Sequence, residues 1–324
     1  MRRRLTRREL GTLAGLGALA AVRPARAAFT PTRVPGRVGV AALPPPSAGA
    51  RLDPAAARRA LEAALVAATG ATSAADAARA LFAASDTVGI KVNCLGGSNL
   101  SPRRELVEAL VAVLGEAGVS PERVIVFERS SRELQRAGYP IRRAGSQYRC
   151  YGIDNDYEAE PSSSGEIGSC FARLVSRTCT ALVSFGVVKD HDLAGVSAAL
   201  KNLYGLIHNP NKYHDHNCDP YVADLLRHPY LVGSLRLAVL DGVTAQCHGG
   251  PAFRPDAVWP LGLVAASTDA VAADAWAWRV LDAERVRRGL PTLTDANRPP
   301  RFLGTASRLG LGVGDPRAVH EVRA

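Results

Sequence analysis

The sequence lacks the features that mark several large classes of protein. No apolar run reaches the roughly 18 residues that a membrane-spanning helix needs, so no transmembrane segment is predicted. There is no Gly-X-Y repeat, which excludes a collagen-like chain, and the 47% hydrophobic content is too high for a disordered one. The 324 residues are enough for a sizeable core, in one large domain or two closely joined ones.

Several familiar site motifs are also missing. No C-x-x-C occurs, so there is no sequence-local iron–sulfur or zinc-ribbon motif. Neither a G-x-G-x-x-G nor a Walker lysine pattern is present, so no nucleotide is specified. Ser197 lacks the G-x-S-x-G surroundings of an α/β-hydrolase nucleophile, which disfavours a serine hydrolase. A binding or catalytic site has to come from other residues.

The net charge of +10 is concentrated at the start of the chain. Residues 1–27 contain seven arginines and a single acid, Glu9, so this segment carries six of the ten net charges. The remaining excess is spread over nearly 300 residues and is too diffuse to follow a phosphate backbone. Nucleic acid is therefore not predicted as a partner.

Residues 1–27 have the parts of an export signal. A basic start is followed by an apolar stretch over residues 10–22 and by the small-residue site Ala25-Arg26-Ala27. Arg7-Arg8 stands just before the apolar stretch, as the twin-arginine exporter requires. The alternative is a basic amphipathic first helix, although the glycines of the apolar stretch are poor helix formers. We predict a twin-arginine signal peptide over residues 1–27 and a periplasmic or otherwise exported protein.

The predicted export route bears on whether the protein holds a cofactor. The twin-arginine exporter moves folded proteins, and a common reason to fold first is a cofactor loaded in the cytoplasm. The leader therefore favours a metal or another prosthetic group without identifying one. Rapid folding, or assembly with a protein partner that the sequence does not identify, would serve equally well.

Six cysteines follow the leader. An even number in an oxidising compartment permits up to three disulfides, whose 15 possible connectivities the sequence does not separate. Simple burial of the thiols is the alternative. The cysteines are Cys94, Cys150, Cys170, Cys179, Cys218 and Cys247.

Alternating strand and helix patterns predict the fold. Residues 87–92 and 124–127 are predicted strands, and the helix between them makes a βαβ unit, which is typical of parallel sheets. We predict a layered α/β fold with a largely parallel sheet flanked by helices, in a single domain over residues 28–324, with 144–166 as a lid or insertion. Further strands are predicted at 181–188, 235–240 and 261–266, and helices at 53–70, 195–205 and 268–288.

The first polar cluster follows the strand at residues 87–92. It contains Lys91 and Asn93, then Gly96 and Gly97, and a helix begins shortly after it. Glycines let backbone amides approach an anion, and the start of a helix favours negative charge. The cluster predicts a cofactor or anion site, and the alternative is a glycine turn beside a lysine that reaches to the surface.

The second cluster is the richest in chemistry. Lys189 and His191 follow a predicted strand, and Lys201-Asn202 lies in the predicted helix beyond it. In the next loop His214, His216 and Cys218 alternate along the chain. Imidazole with thiolate or carboxylate suits Zn, Cu, Fe or Ni, so the cluster predicts a transition-metal or catalytic site. A polar surface loop whose histidines bond backbone groups is the alternative.

The third cluster again follows a predicted strand. It contains Asp241, Cys247, His248, Gly249 and Gly250. We expect His248 to complete a metal site with His191 or His214, and the two glycines to approach a cofactor. A tight turn is the equal alternative.

In this order the clusters resemble the family called domain of unknown function 362, in particular its twin-arginine-exported members. The resemblance spans roughly residues 87–280, and its most specific part is Lys201-Asn202-x-x-Gly205. Members often carry a ferredoxin-like cluster domain, but this chain has no such cysteine run, so no iron–sulfur role is implied. The other matching pieces are Ile90-Lys91-Val92-Asn93, Lys189, His191, Asp241-Gly242, Gly249-Gly250-Pro251 and Asp269 with Asp274. The resemblance implies a fold and a site, and no reaction.

We therefore predict an exported, metal- or cofactor-dependent enzyme acting on an anionic small molecule by redox or hydrolytic chemistry. Lys189, His191, Lys201 and Asn202 are the predicted catalytic residues. One alternative is a non-catalytic periplasmic binding protein for a metal or anionic ligand, and another is an assembly factor exported with a partner. The predicted cofactor-binding residues are Lys91, Asn93, Gly96, Gly97, Gly249 and Gly250. The predicted metal ligands are His191, His214, His216, Cys218 and His248.

Overall fold

A computed structural model describes residues 29–47 and 51–324 of the chain. The predicted signal peptide, residues 1–27, lies outside the described residues. Residues Pro31–Ala324 form one compact unit, which holds all the strands and helices described below.

The helices and strands alternate through most of the chain. The strands are β1 Arg37–Ala42, β2 Val88–Val92, β3 Val124–Glu128, β4 Arg149–Gly152, β5 Ser162–Ser164, β6 Ile167–Ser169, β7 Ala181–His191, β8 Gly195–Val196, β9 Leu235–Gln246, β10 Val258–Trp259, β11 Leu263–Ser267 and β12 His320–Arg323. The α-helices are α1 Pro54–Thr69, α2 Ala74–Leu81, α3 Arg104–Glu116, α4 Ser131–Arg136, α5 Tyr221–Leu226, α6 Ala270–Arg287 and α7 Arg301–Arg308.

Ten of the strands form one mixed sheet whose main path runs β12-β1-β11-β9-β7-β2-β3-β4. The five strands from β9 to β4 in this path run parallel to one another. Strand β11 pairs antiparallel with β9 and with β1. The predicted layered α/β fold with a largely parallel sheet is confirmed.

Helices cover both faces of the sheet. Helices α1, α2 and α3 pack together and bury alanine, leucine and valine side chains against one face. Helices α6 and α7 pack on the other face, around Trp276 and Phe302. The central strands are buried on both faces and therefore read as nearly continuous apolar runs, as in β2 and β3.

Helix ends follow the expected capping chemistry. The Asp53 carboxylate accepts hydrogen bonds from the amides of Ala55 and Ala56 at the start of α1, and Gly70 ends that helix in the left-handed conformation. Asp269 caps α6 in the same way. These caps explain why the helices predicted from residues 53 and 268 begin where they do.

The predicted helix over residues 195–205 is wrong. The chain there forms the short strand β8, which pairs antiparallel with the end of β7, and then the 3₁₀ helix Lys201–Leu206. The buried Asp274 carboxylate on α6 accepts hydrogen bonds from the amides of Ala199 and Leu200. The amides of Ala199 and Leu200 are thus bound to a residue about 75 positions away in the sequence. This long-range contact outweighs the local helical pattern of residues 195–205.

The stretch predicted as a lid or insertion, 144–166, contains strand β4 at the edge of the main sheet. Its second half forms β5, which pairs with β6 in a separate two-stranded sheet. Residues 149–152 therefore belong to the sheet itself.

The cysteines are mostly buried. None of the six, all of which lie in the described part of the chain, forms a disulfide. Five are buried and Cys170 is half-buried, so burial accounts for most of them. Within residues 29–47 and 51–324, no helix has the length and apolar character needed to cross a bilayer.

Candidate functional site

A cavity of about 260 Å³ opens at the carboxyl ends of β2, β3 and β7. The chain passes from β2 outward to β3 and β4, then returns to place β7 on the opposite side of β2. Such a reversal leaves a crevice beyond the strand ends, where α/β proteins bind ligands. The cavity is lined by Asn93, Glu128, His191 and Ser197, and by two segments that include Lys201 and His214.

Lys91 is fully occupied by partners within the protein. Its Nζ lies 2.6 Å from Oε1 of Glu128, 2.7 Å from the carbonyl oxygen of Val92 and 3.0 Å from Oδ1 of Asn202. An ammonium group has three protons to donate, and three acceptors are present. Lys91 is therefore neutralised by Glu128 and joins β2, β3 and the 3₁₀ helix at the wall of the cavity.

Asn202 and Gly205 complete this junction. The Asn202 amide nitrogen donates to the carbonyl of Lys91 and to Oγ of Ser184, in addition to the contact of its oxygen with Lys91 Nζ. A Cβ on Gly205 would lie 2.7 Å from Cε of Lys91, closer than real side chains approach. Asn202 and Gly205 of the Lys-Asn-x-x-Gly segment thus hold the Lys91–Glu128 pair in place.

Lys189 is completely buried and has no carboxylate partner among the described residues. Its Nζ lies 3.2 Å from Oδ1 of Asn93 and 3.3 Å from the carbonyl oxygen of Pro251. Both acceptors are neutral, and both residues line the cavity. Burial lowers the pKa of Lys189 to about 8. Lys189 therefore places a positive charge beneath the cavity with no carboxylate within ion-pair distance among the described residues, although Glu128 and Asp190 act on it from farther away.

Lys201 lines the cavity and likewise forms no ion pair with a carboxylate in the described ranges. Its Nζ lies 2.9 Å from Nε2 of His214 and 3.7 Å from the centre of the Tyr204 ring. Nδ1 of His214 faces the carbonyl oxygen of Asn211 at 3.2 Å. Because a carbonyl only accepts, Nδ1 carries the proton and Nε2 presents its lone pair to Lys201.

The environment of Lys201 and His214 favours their neutral forms. Burial, with the nearby Lys189 charge as a smaller cause, lowers the pKa of Lys201 to about 8, against an opposing effect of Cys218. Burial, followed by the Lys201 charge, lowers the pKa of His214 below its ordinary value. The two side chains form an amine–imidazole pair between which a proton can move.

His191 has a different hydrogen-bonding role. Its Nδ1 accepts from the amides of Leu193 and Ala194 at 3.1 and 3.3 Å, so Nε2 carries the ring proton. Burial, with the Lys201 charge as the next cause, lowers its pKa to about 2. His191 is thus neutral, and its ring stacks near that of His214 with centroids 5.5 Å apart. It can offer an N–H donor to a ligand.

The predicted metal ligands do not converge. His216 is exposed, His248 lies 3.9 Å from Asp256 and does not line the cavity, and Cys218 is buried with a pKa that burial raises. Among residues 29–47 and 51–324, no group of three or more His, Cys, Asp or Glu side chains is placed to hold a metal ion. The rings of His191 and His214 lie together, and Cys218 Sγ lies 3.9 Å from the His214 carbonyl oxygen. The hydrogen bonds of the two rings engage Nδ1 of His191 and Nε2 of His214.

The four predicted cofactor-binding glycines lie in turns that do not line the cavity. The Gly97 amide donates to the carbonyl of Cys94, within a tight turn. The Gly250 amide donates to Oδ1 of Asp190, and a Cβ on Gly250 would lie 2.2 Å from the Asp190 carbonyl oxygen. Gly96 and Gly249 belong to the same two turns. The second turn matters to the site because it positions the Pro251 carbonyl that accepts from Lys189.

Two buried aspartates position segments around the site. Asp274 holds the amides of Ala199 and Leu200, just before Lys201. Asp241 accepts from the Arg103 amide at 2.7 Å and from its guanidinium at 3.0 Å, which fixes the start of α3. Neither aspartate lines the cavity, so both act through the residues that they hold.

The sequence analysis did not identify Glu128 as a site residue, and it did not use the scarcity of lysine in the chain. Glu128 ends β3, the neighbour of β2, so its position after a predicted strand could have identified it. The composition is more telling: of the 40 basic residues only four are lysine, namely Lys91, Lys189, Lys201 and Lys212. Three of these four are buried at the site, in a chain that uses arginine almost everywhere else. The site therefore uses compact amines, which arginine cannot replace.

The match to a family model covers this whole arrangement. The model of the domain of unknown function DUF362 matches residues 88–279. The chain belongs to the DUF362 family. The DUF362 match includes every residue that lines the cavity, together with Lys189 and Asp274. It ends before Arg298, which forms an ion pair with the buried Asp190. No curated protein shows significant similarity to the chain.

Proposed function

We propose that this DUF362 protein is an exported enzyme that binds an anionic small molecule in the cavity at the carboxyl ends of β2, β3 and β7. The observation that carries the proposal is the pair of buried lysines, Lys189 and Lys201, whose amines have no carboxylate partner in the described part of the chain. Buried charges are costly unless they are paired. An anion bound between these amines would supply the missing counter-charge.

The third lysine of the site supports this assignment by contrast. Lys91 has Glu128 as a counter-ion 2.6 Å away, so the fold pairs a buried lysine where its role is structural. Lys189 and Lys201 have no such partner among the described residues, so Lys91, which also lines the cavity, is the one buried lysine of the site that the fold pairs with a carboxylate. The Nε2–H group of His191 adds a neutral donor, which would orient the bound anion. The cavity volume suits a small molecule.

The pairing of Lys201 with His214 favours catalysis over passive capture. An anion binder needs only fixed positive charge, which arginine supplies with more donors. An amine held against the lone pair of an imidazole is instead suited to proton transfer. We therefore favour an enzyme over a non-catalytic binding protein.

Twin-arginine export remains part of the proposal. It is supported by Arg7-Arg8 before the apolar stretch and by Ala25-Arg26-Ala27 after it. A fusion of residues 1–30 to a reporter that is active only outside the cytoplasm tests it. The fusion should be exported, and export should stop when Arg7-Arg8 is replaced by two lysines. Export that persists in this variant would contradict the twin-arginine route.

The predicted transition metal stays a prediction, and the hydrogen bonds at the site do not favour it. Two amides occupy Nδ1 of His191, and the Lys201 amine occupies Nε2 of His214. A metal ion on either ring would need that ring to change its partners. Elemental analysis of protein purified without a chelator or a histidine tag tests the prediction.

Anion binding is tested by thermal unfolding in the presence of lactate, succinate, phosphate or glycerol phosphate, each compared with chloride at equal ionic strength. At least one of these anions should raise the melting temperature, since a ligand that binds only the native state stabilises it. The Lys201→Met variant should lose this shift. The Lys212→Met variant, which changes an exposed lysine outside the cavity, should keep it. No shift with any anion, or an equal shift in Lys201→Met, would contradict the proposal.

A further inference from the structure

We infer that Lys201 is a nucleophilic amine that forms an imine with a small carbonyl compound carrying an anionic group. The inference rests on the proposed function and deepens it, because it names the substrate class of the same cavity. It is carried by the placement of the Lys201 amine at the cavity wall, against the lone pair of His214 Nε2. A lysine next to a base, or next to another cation, is activated in this way for attack on carbonyl groups.

Only one lysine of the chain meets the requirements. Lys91 donates all three of its protons to protein acceptors. Lys189 is fully buried, does not line the cavity and faces only neutral oxygens, with no base beside it. Lys212 is exposed and donates to the carbonyl of Gly168. Lys201 alone combines contact with the cavity, a proton acceptor and freedom from a carboxylate partner within the described residues.

Lys189 and Lys201 thus have different roles in this proposal. Lys189, held by Asn93 and the Pro251 carbonyl, remains the fixed cation beneath the cavity floor and attracts the anionic group. Its charge also disfavours the protonated form of Lys201. Lys201 then faces the carbonyl carbon of the same molecule. A 2-oxo acid, with its carboxylate next to a ketone or aldehyde, offers one group to each amine.

Imine formation on Lys201 needs no reagent besides the carbonyl compound. His214 Nε2 takes one proton from the Lys201 ammonium group, and the amine attacks the carbonyl carbon. The new N–C bond forms as the C=O electron pair moves to oxygen, and a second proton passes from nitrogen to that oxygen. The imidazolium of His214 protonates the resulting hydroxyl, the C–O bond breaks and water leaves. The product is a protonated imine on Lys201 with His214 neutral again.

Borohydride trapping tests the inference on the full chain. The protein is incubated with glyoxylate, pyruvate or 2-oxoglutarate, reduced with borohydride, and digested for mass spectrometry. Reduction converts an imine to a stable secondary amine, and with only four lysines in the chain the site of attachment is unambiguous. We expect the adduct on Lys201, at close to one per chain, with at least one of the three acids.

Variants make the test specific. Lys201→Arg should abolish the adduct while keeping a positive charge, and Lys212→Arg should leave it unchanged. His214→Gln should slow adduct formation roughly 10²-fold, as expected for the loss of a general acid–base group. Far-ultraviolet circular dichroism of each variant shows whether the fold is retained. An adduct that forms equally in Lys201→Arg, or that spreads to Lys212, would overturn the inference.

Binding of lactate separates this inference from the proposed function, because lactate carries the carboxylate without the carbonyl. If lactate binds and none of the three oxo acids is trapped, the imine is wrong and anion binding stands. If lactate does not bind but an oxo acid is trapped on Lys201, the imine is right and its affinity comes from the covalent bond. If no oxo acid is trapped and none of lactate, succinate, phosphate and glycerol phosphate binds, both proposals fail.

Discussion

The Asp274 carboxylate lies 2.6 Å from the backbone nitrogen of Ala199, and both groups are fully buried. The same carboxylate also accepts from the amide of Leu200, so α6 holds the chain just before Lys201. This contact turns a segment with a helical pattern into the short strand and 3₁₀ helix that carry the site. Asp274 is therefore a positioning residue, which would act on a bound ligand only through Lys201 and Asn202.

Asp274→Ala should weaken both the fold and the site. The substitution leaves two buried amides without an acceptor, which costs on the order of 2–4 kcal/mol in the free energy of unfolding. Urea unfolding measures this loss, and lactate or phosphate binding should weaken because Lys201 is no longer fixed. The control is Asp315→Ala, which removes an exposed pair with Arg317 that water and salt screen, so stability should change little. Equal stability of the two variants would contradict the role of Asp274.

Gly205→Ala tests the packing of the Lys91–Glu128 pair. The added methyl group would lie 2.7 Å from Cε and 2.9 Å from Nζ of Lys91, so the pair must move or separate. Overpacking of this kind typically costs about 1–3 kcal/mol. The matched control is Gly115→Ala on α3, where no atom lies within 4 Å of the added methyl group and a gain of about 0.5–1 kcal/mol is expected. Urea unfolding of both variants should give opposite signs.

The lysines at the site should respond differently to removal of their charge. Lys91→Met leaves Glu128 buried without its partner, and breaking a buried ion pair costs about 3–5 kcal/mol. Lys201→Met removes a buried cation that has no carboxylate partner in the described ranges, so at pH 7 it should leave stability unchanged or raise it. Thermal and urea unfolding at pH 7 compare the two variants. A loss of several kcal/mol in Lys201→Met would show that its charge is already paired in the folded protein.

The stability difference between Lys201→Met and the wild type should depend on pH. The pKa of Lys201 is about 8 in the folded protein and near 10.5 in the unfolded chain, so folding releases a proton between these values. Wild-type stability should therefore rise as the pH increases from 8 to 10.5, relative to a variant without the amine. The advantage of Lys201→Met should be largest below pH 8 and shrink toward pH 10. A difference that stays constant over this range would contradict the lowered pKa.

The sequence predicts the sheet and its helices well because local signals agree with the fold there. Residues 87–92 and 124–127 are apolar runs that match β2 and β3 closely, and Asp53 and Gly70 mark the ends of α1. The order of strands along the sheet has no such local signal. It depends on pairing between distant segments, such as β2 with β7.

The sequence identifies several residues that form the site, but it does not show what each of them does. Lys189, His191, Lys201 and Asn202 do meet at one edge of the sheet, as strand ends in a parallel sheet must. Their roles depend on partners far away in the sequence: Glu128 neutralises Lys91, and two amides fix the ring of His191. Spacing alone suggested metal ligands at His216 and His248, but it does not show that His216 is exposed or that His248 lies 3.9 Å from Asp256.

The most direct test of the central claim uses lysine-selective labelling. Protein grown with ¹³Cε-lysine gives one signal for each of its four lysines in a two-dimensional NMR spectrum, and single Lys→Arg variants assign them. During a titration with lactate or phosphate, the signals of Lys189 and Lys201 should shift together and saturate, while that of Lys212 stays in place. Signals that do not move, or that all drift in proportion to the added salt, would contradict an anion site built on the two unpaired lysines.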